Sequence, residues 1–215
     1  MPILDVDVDL AKKIYDVNVF GVIRTTQAFS SLVIAAEGTI VIIGSIAGVM
    51  PYVFGGTLSL SPTLLLTLLL LGAYNSSKAA VQSIADALRI EMYPFNVKVI
   101  NVCTGGVHTN LGPKSIRENN LALPRDSVYI PIEEYFKKRQ GYSNANSVKA
   151  PDYARQVVSA VTKARRSGWI WKGYFANTCW FIKTFLWRTV FDIFMRREFG
   201  LNKLKKIVEA HKKTI

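Results

Sequence analysis

"TIVIIGSIAG" (residues 39–48) and "VKVINVCTGGV" (residues 97–107) are the two stretches whose reading decides the fold. Each opens with a short β-branched apolar run that lacks polar alternation, the pattern of a strand covered on both faces. Ahead of the first run, Leu10, Ile14, Val17, Phe20 and Ile23 recur at helical spacing within residues 9–36, with Asp9 as the expected N-cap and Gly38 as the stop. Between the two runs, "AYNSSKAAVQSIADALRIEMY" predicts a second helix over 74–93 that ends before Pro94. Helix, strand, helix, strand, with strands this apolar, implies parallel pairing and an α/β sheet. Pro151 and Asp152 open another helix to about Arg166, and "GWIWKG" (168–173) reads as a short third strand. The stretch 112–150 carries Pro113, Pro124 and Pro131 and reads as a substrate-side lid, helical at 131–140.

Composition narrows the class. Half of the 215 residues are hydrophobic and a fifth are charged, which supports a sizeable core and excludes a disordered chain. Cys103 and Cys179 are too few and too far apart for a disulfide framework or a cysteine metal site, and imply a reduced, intracellular protein. The acidic start, "MPILDVDVDL", has neither the basic nor the apolar region of a signal peptide. The net charge of +12 is unevenly placed: residues 1–162 hold 14 Lys/Arg against 12 Asp/Glu, and residues 163–215 hold 13 against 3. The basic excess therefore belongs to the C-terminal part, where it implies either nucleic acid or an anionic membrane as partner.

The candidate chemistry lies at the ends of these elements. Ser45 sits at the C-terminal end of the first strand, where open α/β sheets bind ligands. Tyr74 and Lys78 are one helical turn apart on the following helix, and Asn18 is a short polar residue in the middle of the preceding one. Together these residues resemble the Asn, Ser, Tyr, Lys tetrad of the short-chain dehydrogenase/reductase family. The resemblance implies a Rossmann-like parallel sheet and NADP(H)-dependent interconversion of a ketone and an alcohol. In that reading Lys78 lowers the pKa of the Tyr74 phenol and holds the nicotinamide ribose. Ser45 would hydrogen-bond the substrate carbonyl, and Asn18 would fix a water beside Lys78. "CTGGVHT" (103–109) is similar to the family's segment after the next strand, with Thr104 in place of proline. The resemblance thus puts Gly105, Gly106, Val107 and Thr109 against the nicotinamide, and leaves His108 as a loop residue.

Ser45 and Tyr74 are 29 residues apart, farther than the family pattern places them. Removing the uncharged run 57–72, "TLSLSPTLLLTLLLLG", reduces the separation to 13. That run is expected to be a retained in-frame intron; the alternative is a membrane-dipping insertion too short to span a bilayer. The family's glycine-rich turn, Gly-x-x-x-Gly-x-Gly, and its Asn-Asn-Ala-Gly segment do not occur in these 215 residues. The chain is therefore expected to be truncated at the N-terminus, with an apolar edge on the 39–45 strand. A catalytically inactive remnant is the competing expectation.

Within the family the sequence is similar to the fungal NADPH-dependent 1-acyldihydroxyacetone-phosphate reductases. "DVNVFGV", "GTIVIIGSIAGVMPYVFG", "VCTGGVHTN", "GWIWKG" and the end to "FGLNKLKK" carry that similarity. It implies a hydrophobic, lipid-like substrate and a location at the cytoplasmic face of the endoplasmic reticulum or a lipid droplet. Fungal biosynthetic pathways for terpenoids or polyketides are the alternative setting. Residues 1–173 are read as the catalytic domain and 174–215 as a basic aromatic tail. In 174–199, Thr184, Arg188, Asp192 and Arg196 recur every fourth residue, against Trp180, Phe181, Phe185, Trp187, Phe191 and Phe194. This predicts one amphipathic helix lying on a membrane surface, or a helix sealing the substrate pocket; nucleic acid is the disfavoured partner. Lys137, Lys138 and Arg139 could bind a substrate phosphate, or form a solvated face paired with Glu133 and Glu134. The helices at 9–36 and 74–93 are the candidate homodimer face.

Overall fold

The computed structural model describes residues 1–54, 71–108, 122–138, 147–165, 167–187 and 189–213. The run at 57–70 lies outside the described residues, so its reading as an insertion has no structural counterpart here.

The predicted first helix is present in three joined pieces. Helix α1 (Val8–Tyr15) passes through a π-helical segment, Asp16–Phe20, into α2 (Gly21–Ala35). Its N-cap is Asp7, not Asp9: the Asp7 carboxylate accepts from the backbone N–H groups of Asp9 and Leu10. That places the cap two residues earlier, where one carboxylate satisfies two otherwise unpaired donors. Beyond Ala36 the chain turns at Glu37, left-handed at φ 44°, and enters β1 (Thr39–Ser45). Helix α3 (Leu71–Glu91) returns to β2 (Lys98–Thr104), which continues into the short β3 (Val107–His108). Strand β4 (Val148–Lys149) leads into α4 (Ala150–Lys163), followed by β5 (Gly168–Lys172).

The main sheet has the order β1-β2-β5 and is parallel throughout, with Thr39 opposite Lys98, Ser45 opposite Thr104 and Asn101 opposite Trp169. β2 is central and its residues Val99 to Cys103 are all buried, including the polar Asn101 within the apolar run. One core cluster joins Val19, Ile42, Val81, Ala85 and Val99, fixing the N-terminal helices and α3 to one face of the sheet. The stretch Val8–Ala35 is long and apolar enough to cross a membrane by length and composition. Here its Ile14 and Val19 are buried in core clusters, while most of the stretch is exposed.

The C-terminal region departs from expectation. Residues 174–199 do not form one helix: α5 (Ala176–Phe185) ends at Leu186, whose backbone is extended, and α6 (Val190–Glu198) starts a new direction. The reason is packing. In a straight helix at about 1.5 Å per residue, Cys179 and Met195 would be about 24 Å apart along the axis. Instead both are buried in one cluster with Met50, Phe54, Cys103, Ile132 and Phe199. The four-residue stripe through Thr184, Asp192 and Arg196 is accordingly broken between the two helices; Arg188 lies outside the described residues. A last helix, α7 (Leu201–Lys212), follows Gly200. Ala176, Cys179, Phe191, Met195 and Phe199 of this region are thus built into the core, while α7 buries none of its residues.

Candidate active site

The first strand delivers Ser45 to the C-terminal edge of the sheet, beside Thr104 of β2. Its hydroxyl caps a single 3-10 turn, Ile46–Gly48, by accepting from the Ala47 N–H at 3.1 Å. That turn rests on α3. A Cβ on Gly48 would lie 2.8 Å from both the carbonyl carbon and the oxygen of Lys78, so only glycine permits the approach.

Tyr74 hydrogen-bonds the side chain of Ser45. Burial of the phenol pushes its pKa up to about 12, and the Ser45 bond offsets part of that rise. Lys78 stands one turn along; burial lowers its pKa. Its Nζ donates to the Ile43 carbonyl at 3.3 Å and lies 5.8 Å from the centre of the Tyr74 ring. Desolvation is the dominant influence on the Tyr74 phenol here, and the Lys78 ammonium is directed at the Ile43 carbonyl of β1. Asn18, in the π-helical segment, donates from Nδ2 to Ser77 Oγ at 3.1 Å, and Ser77 Oγ donates to the Tyr74 carbonyl at 2.8 Å. All four tetrad positions thus converge on one turn of α3 and the end of β1.

Gly105 and Gly106 follow β2 directly, one and two residues past the partner of Ser45. Their N–H groups donate to the Lys172 carbonyl at 2.8 Å and the Tyr174 carbonyl at 3.0 Å. Val107 pairs with Val148 in the small β3-β4 sheet. Thr109 lies outside the described residues.

Three polar residues at this site were not singled out from the sequence. Gln82 donates from Nε2 to the Ser45 carbonyl at 2.6 Å; it sits at helical spacing after Tyr74 and Lys78, a signal that was legible. Ser77 is fully buried beneath Asn18. Tyr153 of α4 shares a 2.6 Å hydrogen bond with Thr104 Oγ1, a contact nothing in the sequence spacing announces. In the basic cluster, Lys137 pairs with Glu133 at 2.8 Å as the spacing suggests, whereas Lys138 approaches Glu198 at 3.9 Å and Glu134 binds Lys203 at 2.7 Å. Arg139 lies outside the described residues.

Comparisons with known proteins identify the family and the fold. Residues 1–120 match the family model of the short chain dehydrogenases. The chain is 37% identical over 213 residues to the short-chain dehydrogenase virD of Hypocrea virens, covering 99% of this chain and 67% of that protein. It is 32% identical over 215 residues to the NADPH-dependent 1-acyldihydroxyacetone phosphate reductase of Saccharomyces cerevisiae, covering 99% of this chain and 65% of that one. It belongs to the short-chain dehydrogenase family, a family of oxidoreductases. The chain spans about two thirds of the length of these relatives. A short-chain dehydrogenase structure from Streptomyces avermitilis superposes with a TM-score of 0.60 at 17% identity, over 97% of this chain and 65% of that one. One from Burkholderia cenocepacia, in complex with NADP, gives 0.58 at 19% identity, over 91% and 63%. Both show the Rossmann-like fold.

Proposed function

We propose that this chain carries the catalytic part of an NADP(H)-dependent oxidoreductase that interconverts a ketone and an alcohol on a hydrophobic substrate. The observation that supports it is the hydrogen-bonded Ser45–Tyr74 pair with Lys78 one turn along α3. The residues present fit the nicotinamide end of the cofactor. Lys78 has a single carbonyl partner at 3.3 Å, which leaves donors for ribose hydroxyls, and the Tyr74 phenol stands beside it. When bound, the cofactor supplies the hydride. Ser45 then orients the substrate carbonyl by donating a hydrogen bond to its oxygen, and Tyr74 delivers a proton to that oxygen. A phenol held neutral by burial is the form that donates a proton in the reductive direction.

The substrate class rests on the relatives. The yeast relative is named for an acyl-dihydroxyacetone phosphate, and the Hypocrea relative is a fungal short-chain dehydrogenase. The test is NADPH oxidation by the purified protein against a panel of acyl-dihydroxyacetone phosphate, terpenoid ketones and polyketide ketones. Tyr74→Phe should lower turnover by about 10²–10⁴ while the fold is unchanged. Retention of most turnover by that variant would overturn the assignment.

A further inference from the structure

The face of α5 opposite the core is apolar where a solvated helix would be polar. Ala176 and Cys179 are buried, and Lys183 lies 3.7 Å over the Trp169 ring, which fixes the helix against β5. On its other side Trp180, Phe181 and Phe185 form a contiguous exposed cluster, with ring centres 5.1 Å (Phe181–Phe185) and 5.8 Å (Trp180–Phe185) apart. The chain then turns outward through Leu186, 45% exposed, and Trp187, 85% exposed. A surface helix with Trp180, Phe181 and Phe185 together on its outer side, followed by a nearly bare tryptophan, has an unpartnered apolar face.

We infer that the end of α5 and the turn after it form a docking wedge for an anionic lipid bilayer. Charge complementarity selects this occupant. The part of the chain bearing the wedge, residues 163–215, holds 13 Lys/Arg against 3 Asp/Glu. Among the described residues, Arg197, Lys206, Lys212 and Lys213 make no ion pair, so their charge is available to lipid phosphates. Trp and Phe are the side chains that settle at the headgroup–acyl boundary. The break at Leu186 makes the contact a tip rather than a helix lying flat, because the extended backbone there turns Trp187 away from the core. The wedge is independent of the roles of Ser45, Tyr74 and Lys78, and its test does not read turnover.

The test is flotation of the full chain with phosphatidylcholine vesicles containing or lacking phosphatidylserine. Binding should be stronger with phosphatidylserine. At about 1 M salt it should weaken but persist, since the screening length then falls to about 3 Å while apolar insertion remains. The combined Trp180→Ser, Phe185→Ser and Trp187→Ser variant should bind on the order of 100-fold more weakly, because three exposed aromatic anchors are lost. Its circular dichroism should be unchanged, since none of the three is buried. Independently, Trp187→Phe should keep binding but lose much of the fluorescence quenching by brominated acyl chains. Undiminished flotation of the triple variant overturns the inference. So does self-association of the vesicle-free chain that the triple substitution abolishes, which would assign the face to a second copy.

Discussion

Asn18 Nδ2 donates to Ser77 Oγ across 3.1 Å, joining two helices through residues 59 apart in sequence. Ser77 passes the link to the Tyr74 carbonyl at 2.8 Å, so the π-helical turn of the first helix is tied to the turn that presents Tyr74 and Lys78. A π-turn is costly to keep inside an α-helix, and such turns occur where they aim a residue. Asn18→Ala and Ser77→Ala should each destabilise the chain by about 1–2 kcal/mol, with Ser77→Ala leaving a part-buried amide unpaired. The double variant should cost less than the two added together, a coupling of about 1 kcal/mol in denaturant unfolding. Additive losses would show that the bond positions nothing.

The raised pKa of Tyr74 gives the two directions of the reaction different pH dependences. With the phenol pushed up to about 12, it remains protonated through the neutral range. Reduction, which needs the proton, should hold its rate from about pH 7 to about pH 10 and fall only as the phenol ionises. Oxidation, which needs the phenolate as base, should rise steadily over the same range. A reduction rate already lost below about pH 9 would mean that Lys78 controls the phenol after all.

The sheet and its helices were legible because the signals are strong and local. β2 is a mostly apolar β-branched run, Tyr74 and Lys78 share a helical face, and Pro94 stops a helix at a position that needs no tertiary knowledge. What was not legible depended on distant partners. The aromatic period at 174–199 reads as one helix, since nothing local reveals that Cys179 and Met195 must share a core with Met50 and Phe54. The burial of the Tyr74 phenol was hidden for the same reason. Spacing shows that Lys78 is near, but not that its ammonium turns to the Ile43 carbonyl. Asp9 seemed the better cap until the Asp7 carboxylate was seen to reach both free N–H groups.

Gly105 should tolerate no side chain. A Cβ there would stand 2.0 Å from the Tyr174 oxygen and 3.1 Å from the Ala176 nitrogen, both backbone atoms that cannot swing aside. Gly105→Ala must push the start of α5 away from the end of β2, breaking the bond from Gly105 N–H to the Lys172 carbonyl. The expected loss is at or above the upper end of about 1–3 kcal/mol for overpacking. Gly168→Ala is the control, since its Cβ would meet nothing within 4 Å although its φ of +157° still disfavours a side chain. A Gly105→Ala protein no less stable than Gly168→Ala would contradict the close approach.

Stability should decline in alkali. Burial pushes Cys103, Cys179 and Tyr74 up to about 12, from ordinary values of 9.0, 9.0 and 10.0. Below about pH 8 these groups are protonated whether folded or not, and titrate in neither state. Above it the unfolded chain releases protons that the folded chain retains, so unfolding gains free energy until the folded groups ionise near pH 12. Lys78 and Lys183, lowered by burial, act the other way, since the unfolded chain keeps their protons longer. Three large upward shifts should prevail, and the denaturant midpoint should fall between about pH 9 and about pH 11. Cys179→Ala should flatten that decline relative to its own value at neutral pH. A parent midpoint that stays level over this range would show the thiols and phenol to be solvated.

The outer edge of β1 should make the chain self-associate. β1 is the terminal strand of the β1-β2-β5 sheet, and Val41 and Ile43, two residues apart on one face, are 38% and 51% exposed. Beside the strand an apolar groove of about 560 Å³ runs along α2, lined by Val22, Phe29 and Val33. An apolar edge strand without a charge is a template for pairing with another chain. Lys78 covers only the Ile43 carbonyl, at the end nearest the tetrad, so the backbone around Val41 is the vulnerable part. Sedimentation velocity of the chain should show association that grows with concentration and is resistant to salt, because the contact is apolar and backbone-mediated. Val41→Lys places a charge in the middle of that edge and should return the chain to monomer, leaving the buried Ile42 and the parallel register with β2 intact. A parent chain that stays monomeric at every concentration would mean the groove and edge are covered from within, while association that Val41→Lys does not relieve would move the contact elsewhere.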